Sequence, residues 1–323
     1  MDTNVNYLEK AKADCIRHFG IDVKDAQPLH NGRQNTLVVI TDRKGEKICV
    51  RYRTAVEFWY EDCIKEPFIE SLGIVDMPAV RFVDDTVRPQ ILISEFVEGE
   101  LLHTRGVDEE TAFKVGKLIA QVHIPSQGAS CYMDFLKNKV SADLWADQFL
   151  QSLKEEAVLC EYKLGDINAL LNRCHAIWSP ATQDSLVLVH NDLHFKNMIA
   201  RPNGSICLID WDSAVIAPPE KDFVKLLDWS HENTTAIPNI IRSYQNKTGR
   251  VLNMDAVAVF RIYACLRQIH YQTASMQKGV DSSVLNQKGF FDDNQKQHQR
   301  LCAVLSQLGL SDWHRMDSAT CTA

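Results

Sequence analysis

No apolar run in the 323 residues approaches the roughly 20 that a membrane-spanning helix needs, so no membrane partner is expected. The opening MDTNVNYLEKAKADC carries acids early and lacks the apolar block of a secretory leader. Ten cysteines occur without a single CxxC, and their spacing fits neither a zinc site nor a disulfide framework. Scattered thiols in a chain of this size fit a reducing compartment, which makes a cytoplasmic location the expectation. An excess of basic charge is also missing. The formal net charge of -7 argues against nucleic-acid binding and permits a cationic small molecule as partner. Internal repeats and low-complexity segments are absent as well.

What is present is a globular composition, 45% hydrophobic and 24% charged, long enough for two domains or one two-lobed unit. The first hundred residues read as strand-rich with one helical interruption. TLVVIT (36–41) and KICVRYR (47–53) are β-branched runs joined by DRKGE, which predicts a hairpin. EFWYEDCIKEPFIESLG (57–73) has helical spacing at Phe58, Ile64, Phe68 and Leu72, with Pro67 expected to kink or restart it. AVRFVDD and QILISEFVEG read as two further strands. Beyond Gly99 the texture turns helical over 109–123, 141–159 and 254–272. These patterns predict an α+β architecture, with a small sheet lobe over 1–98 and a larger helical lobe over 99–323 that contains one β-hairpin.

That hairpin carries the chemistry. In VLVHNDLHFKNMIARPNGSICLIDWD (187–212), Asn203-Gly204 between apolar runs predicts a two-residue turn. Pro202 would then oppose Ser205, Met198 would oppose Ile209, and Asn197 would oppose Asp210, with Cβ atoms about 4.5–5.5 Å apart. An amide oxygen and a carboxylate at that spacing suit Mg²⁺, which takes one or two protein oxygens plus waters and phosphates. Asp192 lies five residues before Asn197 on the loop entering the hairpin. An Asp, four residues, an Asn, then a second Asp after a hairpin is the layout of a kinase catalytic loop and its metal-binding aspartate. A competing reading of His190-x-Asp192-x-His194 as part of a metallohydrolase site leaves Asn197 and Asp210 without a role.

With those residues in view, VLVHNDLHFKNMI and LIDWDSAVIAPPEKDF resemble the H-G-D-L-H-x-x-N … I-D-W/F signature of the aminoglycoside phosphotransferase family. That broad group includes choline/ethanolamine, homoserine, macrolide and spectinomycin kinases. The resemblance extends through lobe order to nearly the whole chain. It implies a bilobal protein-kinase-like fold and transfer of the γ-phosphate of ATP or GTP to a small-molecule hydroxyl, with Mg²⁺. It further implies Asp192 as catalytic base, Asn197 and Asp210 as metal ligands, and a structural role for Asp222. Asn191 departs from the family's Gly, and Lys196 from its small residue. His190 and His194 are expected to support the loop.

The phosphate cover would be HNGRQN (30–35), a weak motif with one glycine. Arg51 and Arg53 share a face of their strand by alternation, and the resemblance favours Arg51 as the counterpart of the usual phosphate-binding Lys. Its acidic partner is expected to be Glu61 rather than Glu66, which precedes Pro67. LISEFVEG resembles the family's hinge, where the Glu95 carbonyl and the Val97 amide would meet the adenine edge. Acids in the helical lobe (Asp134, Asp143, Asp147, Glu155, Glu156, Asp228, Glu232) and aromatics (Trp145, Trp211, Trp229, Tyr271) are candidates for a cationic acceptor, although solvated or core roles explain each taken singly. The alternatives to an antibiotic-type kinase are a housekeeping choline, homoserine or sugar kinase and a nucleotide-binding pseudokinase.

Overall fold

The computed structural model describes residues 6–31, 35–53, 62–73, 76–84, 86–87, 89–123, 142–160, 164–178, 186–229, 235–277 and 294–310. The chain divides into two compact units. One comprises Met1–Val122, Asp192–Ala214 and Ser230–Lys247; the other comprises His123–Asn191, Val215–Trp229 and Thr248–Ala323.

In the first unit, helix α1 (Tyr7–Phe19) precedes strands β1 (Val23–Asn31), β2 (Asn35–Asp42) and β3 (Lys47–Arg53), helix α2 (Asp62–Ser71), and strands β4 (Val80–Asp84) and β5 (Gln90–Glu95). The five strands form one sheet, order β1-β2-β3-β5-β4, with every neighbouring pair antiparallel. Alternation along β3 decides what each face does. Ile48, Val50 and Tyr52 point into a core with Val38, Ile40, Ile91 and Ile93, closed by Ala11 and Cys15 of α1. Burying aliphatic side chains of this size contributes about 1.5–3 kcal/mol each. Cys49, Arg51 and Arg53 are left for the opposite face, as the period-two pattern requires.

Helix α1 was not anticipated. Ala11 and Cys15 are its buried apolar residues, Tyr7, Leu8 and Phe19 pack against the same core, and its ends are well marked. Asn6 accepts the N–H of Leu8 at 3.2 Å, and Gly20 closes the helix at φ 62. Buried Asp14 accepts the Tyr52 hydroxyl at 2.7 Å and pairs with Lys10 at 3.0 Å, which ties the helix to β3.

The chain then runs through β6 (Glu100–Leu101) and helices α3 (Leu102–Arg105) and α4 (Glu109–Val122). Strand β6 pairs with β8 (Met198–Ala200), which pairs with β9 (Ile206–Leu208). Gly99 enters this small sheet at φ 146, and a Cβ there would overlap the Ala200 carbonyl. Only glycine fits that approach.

The second unit holds α5 (Ala142–Leu159), α6 (Leu164–Trp178), β7 (Val187–Val189), β10 (Val215–Ala217), α7 (Phe223–Trp229), α9 (Met254–Gln277) and α10 (Asn294–Gln307); α8 (Ala236–Thr248) falls almost wholly in the first unit. Strands β7 and β10 pair antiparallel. Leu153, Leu170, Phe260, Ile262 and Leu266 are fully or nearly fully buried among the helices, and the Phe149 and Phe260 rings meet edge to face with centroids 5.1 Å apart. Among the described residues no helix is long and apolar enough to cross a membrane.

Candidate active site

The hairpin forms, but one residue out of the expected register. Met198 faces Leu208, Ile199 faces Cys207 and Ala200 faces Ile206. The next step sets Asn197 against Ile209, whose N–H donates to the Asn197 carbonyl at 3.1 Å. Asp210 is therefore not the cross-strand neighbour of Asn197. The cause is Pro202. A two-residue loop would place Pro202 opposite Ser205 and require an N–H that proline lacks. Instead Pro202-Asn203-Gly204 makes a three-residue loop. Gly204 donates to the Arg201 carbonyl, Arg201 donates to the Ser205 carbonyl (both 2.9 Å), and Gly204 takes φ 81. A slip of one residue reverses which face a strand side chain occupies. Asp210 escapes that alternation, because its backbone leaves the strand for the left-handed region at φ 65, ψ 64.

Asn191, at φ 61, and Asp210 are the non-glycine residues with positive φ among the described residues. They stand on either side of the Asp192–Ile209 segment. Asn tolerates this conformation better than most residues, which accounts for its standing where the family has Gly. The peptide before Asp192 is fixed from below by Asp222. Its carboxylate accepts the N–H of His190 at 2.9 Å and that of Asn191 at 2.6 Å, and lies 3.0 Å from His123 Nε2, all buried or nearly so. The Asp222 carboxylate thus braces this loop, and hydrogen bonds to a carboxylate contribute about 1.5–3 kcal/mol each. Within the loop, Asn197 Nδ2 donates to the Asp192 carbonyl at 2.9 Å, which leaves Oδ1 as the acceptor end of the amide.

On the sheet face, Arg51 Nη2 lies 2.9 Å from Glu66 Oε1 and 3.5 Å from Asp212 Oδ1, and Arg51 Nη1 lies 4.0 Å from Asp210 Oδ1. Arg53 reaches the other oxygen of Asp212 at 3.3 Å, Asn35 Nδ2 reaches the same oxygen at 3.3 Å, and Lys65 Nζ donates to the Asp212 carbonyl at 3.1 Å. Glu66, passed over in the sequence because Pro67 follows it, is a partner of Arg51; Glu61 lies outside the described residues. Asp212 and Lys65 had not been singled out. Asp212 was legible only as the second acid of IDWD.

These charges shift one another. Burial and Asp212 raise the Glu66 carboxyl against the pull of Arg51 and the Trp211 amide. Asp212 is held below its ordinary value: burial works against it, but Arg51, Arg53 and the Asn35 amide outweigh that. Asp210 is pushed up to about 7 by burial, then by Asp212 and Asp192, against Arg51. Its side chain keeps 44% of its surface exposed, so solvent weakens the burial contribution and the repulsion from two carboxylates is the more durable cause. A half-open carboxylate in surplus negative charge is the kind of oxygen donor that a hard divalent cation takes, and the Asn197 amide oxygen is another of that kind. Among the described residues no three His, Cys, Asp or Glu converge on one metal position.

Glu95 and Val97 lie at the end of β5 and just beyond it. The Glu95 side chain is engaged by Arg201 at 2.7 Å, and Arg201 also binds Asp76 at 3.0 Å, so the end of β5 and the hairpin share one ion-pair network. Elsewhere Asp228 is taken by Arg261 at 2.6 Å and Glu156 by His270 at 2.8 Å, Trp211 is buried, and Asp147 and Glu155 are solvated. Residues 32–34 of the phosphate cover, Asp134 and Glu232 lie outside the described residues, as do the side chains of Asp143, Trp145, Trp229 and Tyr271.

The profile of the APH phosphotransferase enzyme family matches residues 25–259, a span that contains this whole constellation. The chain belongs to that family. This phosphotransferase is a small-molecule kinase by class. Its fold is the protein-kinase-like one, seen at 14% identity in a spectinomycin phosphotransferase crystallised with ADP and spectinomycin, with TM-score 0.59 over 94% of this chain and 97% of that one. The macrolide 2′-phosphotransferase of Brachybacterium faecium is similar at 14% identity and TM-score 0.62, over 88% of this chain and 98% of that one. Choline kinase of Streptococcus pneumoniae is similar at 15% identity and TM-score 0.62, over 94% and 100%. No curated protein sequence matches the chain.

Proposed function

We propose that this phosphotransferase moves the γ-phosphate of ATP or GTP to a hydroxyl of a small molecule, of the antibiotic type or a related metabolite. One observation carries the reading. Asp192 and Asn197 are bonded within one loop, and Asp210 stands electrostatically beside Asp192 with Arg51 at 4.0 Å. In this reading residues 1–98 act as the nucleotide-binding lobe and residues 99–323 as the catalytic and acceptor-binding lobe. The Glu95 carbonyl and Val97 amide receive the base. Arg51, oriented by Glu66, grips the phosphates through two N–H groups. Asn197 and Asp210 hold Mg²⁺, which when bound neutralises phosphate charge. Asp192 takes the proton of the acceptor hydroxyl as its oxygen bonds to the γ-phosphorus and the bridging P–O bond to the nucleoside diphosphate breaks.

The solved relatives bound to ADP with spectinomycin, or to GDP with kanamycin, support a nucleotide and a polyhydroxylated acceptor. The described cysteines are all free thiols, which supports a reducing, cytoplasmic setting. The test is a coupled ADP-release screen across aminoglycosides, spectinomycin, macrolides, choline, homoserine and sugars, run beside Asp192→Asn. An acceptor-dependent rate is expected, falling by about 10²–10⁴-fold in the variant while ADP still raises the melting temperature. Nucleotide binding with no transfer to any acceptor would move the chain to a regulatory role.

A further inference from the structure

The two ring nitrogens of His194 have separate partners. Nδ1 accepts the N–H of Lys196 at 3.2 Å and so caps the short turn Phe195–Asn197. A ring nitrogen that accepts carries no proton, which places the proton of the neutral imidazole on Nε2. Nε2 lies 3.3 Å from Asp192 Oδ1. The residue is 8% exposed, and its carbonyl accepts the N–H of Asn197 at 2.9 Å. One imidazole therefore spans from the turn that ends in Asn197 to the side chain of Asp192.

We propose that His194 is a positioning residue for phosphoryl transfer: its Nε2–H holds the Asp192 carboxylate in the orientation that receives the acceptor's proton. The inference rests on the reading of Asp192 as the base. Asn197 binds the carbonyl of Asp192 rather than its carboxylate. A carboxylate on a single-bonded stem can rotate, and a donor fixed at one oxygen removes that freedom before the acceptor arrives. His194 is not itself the base, because the lone pair it would use at Nδ1 is committed to the Lys196 amide.

Two substitutions separate the two duties of the ring. His194→Asn keeps an acceptor where Nδ1 stands, so the turn stays capped, but its amide is too short for Asp192. His194→Gln carries an N–H out to where Nε2 stands. The readouts are kcat and KM for Mg·ATP with water as acceptor, by coupled ADP release, and the melting shift produced by ADP as a check on folding and binding.

His194→Asn is expected to lose about tenfold in kcat with KM for ATP within about twofold, the size expected for a bond to a charged group. His194→Gln is expected to recover to within about threefold of the parent. In an Asp192→Asn background neither change should cost more, because a residue that acts through Asp192 has nothing left to position. Parental kcat in His194→Asn, equal losses in the Asn and Gln variants, or additive losses in the double variants each overturn the proposal. Should His194→Asn fail to fold, a kcat within about threefold of the parent in His194→Gln supports the proposal, and a tenfold loss there with the ADP melting shift intact overturns it. Parental turnover in Asp192→Asn alone overturns the reading of the base itself, so the two failures are told apart.

Discussion

Glu66 precedes Pro67, a position biased away from helical backbone, yet it lies inside α2 and its carboxylate reaches Arg51 at 2.9 Å. Tertiary context overrides the local bias here: the Arg51 side chain, only 11% exposed, needs opposite charge, and α2 delivers one such group beside Asp212. Sequence alone ranked Glu61 first because backbone preference is local, whereas the partner of a buried cation is settled across elements. Arg51, by contrast, was legible, since strand alternation fixes its face. Glu66→Gln keeps the shape and removes the charge, while Asp212 still neutralises Arg51. Because burial and Asp212 raise the Glu66 carboxyl, its neutral isostere should unfold in urea at or slightly above the parent's midpoint, without the ~3–5 kcal/mol loss of stripping a buried pair of its only partner. It should lose about tenfold in kcat/KM for ATP as Arg51 turns toward Asp212. A stability loss with unchanged kcat/KM would make the pair structural only.

At the scale of elements, strands and long helices whose periods are strong were legible, and they were found within a few residues of the expected bounds. Others were not: α6, α8, α10 and β10 had no expected counterpart, and two further misses have a clear cause. The stripe of α1 runs Tyr7, Leu8, Ala11, Cys15 and Phe19, and its middle is small residues set among charged ones, so the helical period was passed over. The hairpin register turned on whether Pro202 belongs to the strand or the loop, and one residue decides which face every later side chain meets. Asp210 is the exception to that alternation, because it leaves the strand at positive φ.

Loop and strand glycines should therefore differ in cost. Gly204→Ala, at φ 81 with Lys114 Nζ 3.6 Å away, meets conformational strain alone and should lose about 1 kcal/mol. Gly99→Ala adds overlap with the Ala200 carbonyl, a backbone atom that cannot swing aside, and should lose at least about 2 kcal/mol with disruption of the β6–β8 pairing. Urea midpoints at constant m-value give the order; equal losses would mean the small sheet yields freely.

For the whole molecule, the acidic constellation sets function against stability. Asp210 has its pKa raised from 3.8 to about 7, so between those values the folded chain binds more protons than the unfolded one. Stability from this group must then fall as pH rises through that window. The cost is full above about 7 and relieved below about 4. Because the side chain is 44% exposed, solvent screening reduces the cost to roughly 1 kcal/mol. Asp210→Asn removes the titrating charge. Free of nucleotide and divalent cations, it should be more stable than the parent by roughly 1 kcal/mol at pH 8, with the difference closing toward pH 4. With Mg·ATP present the order should reverse, since the parent alone regains stability from the cation that its surplus charge attracts. Melting temperatures across pH 4–8, with and without Mg·ATP, measure both effects. A parent that is the more stable at pH 8 without ligand would show that Arg51 already neutralises Asp210, and that the cluster holds no charge in reserve for a metal.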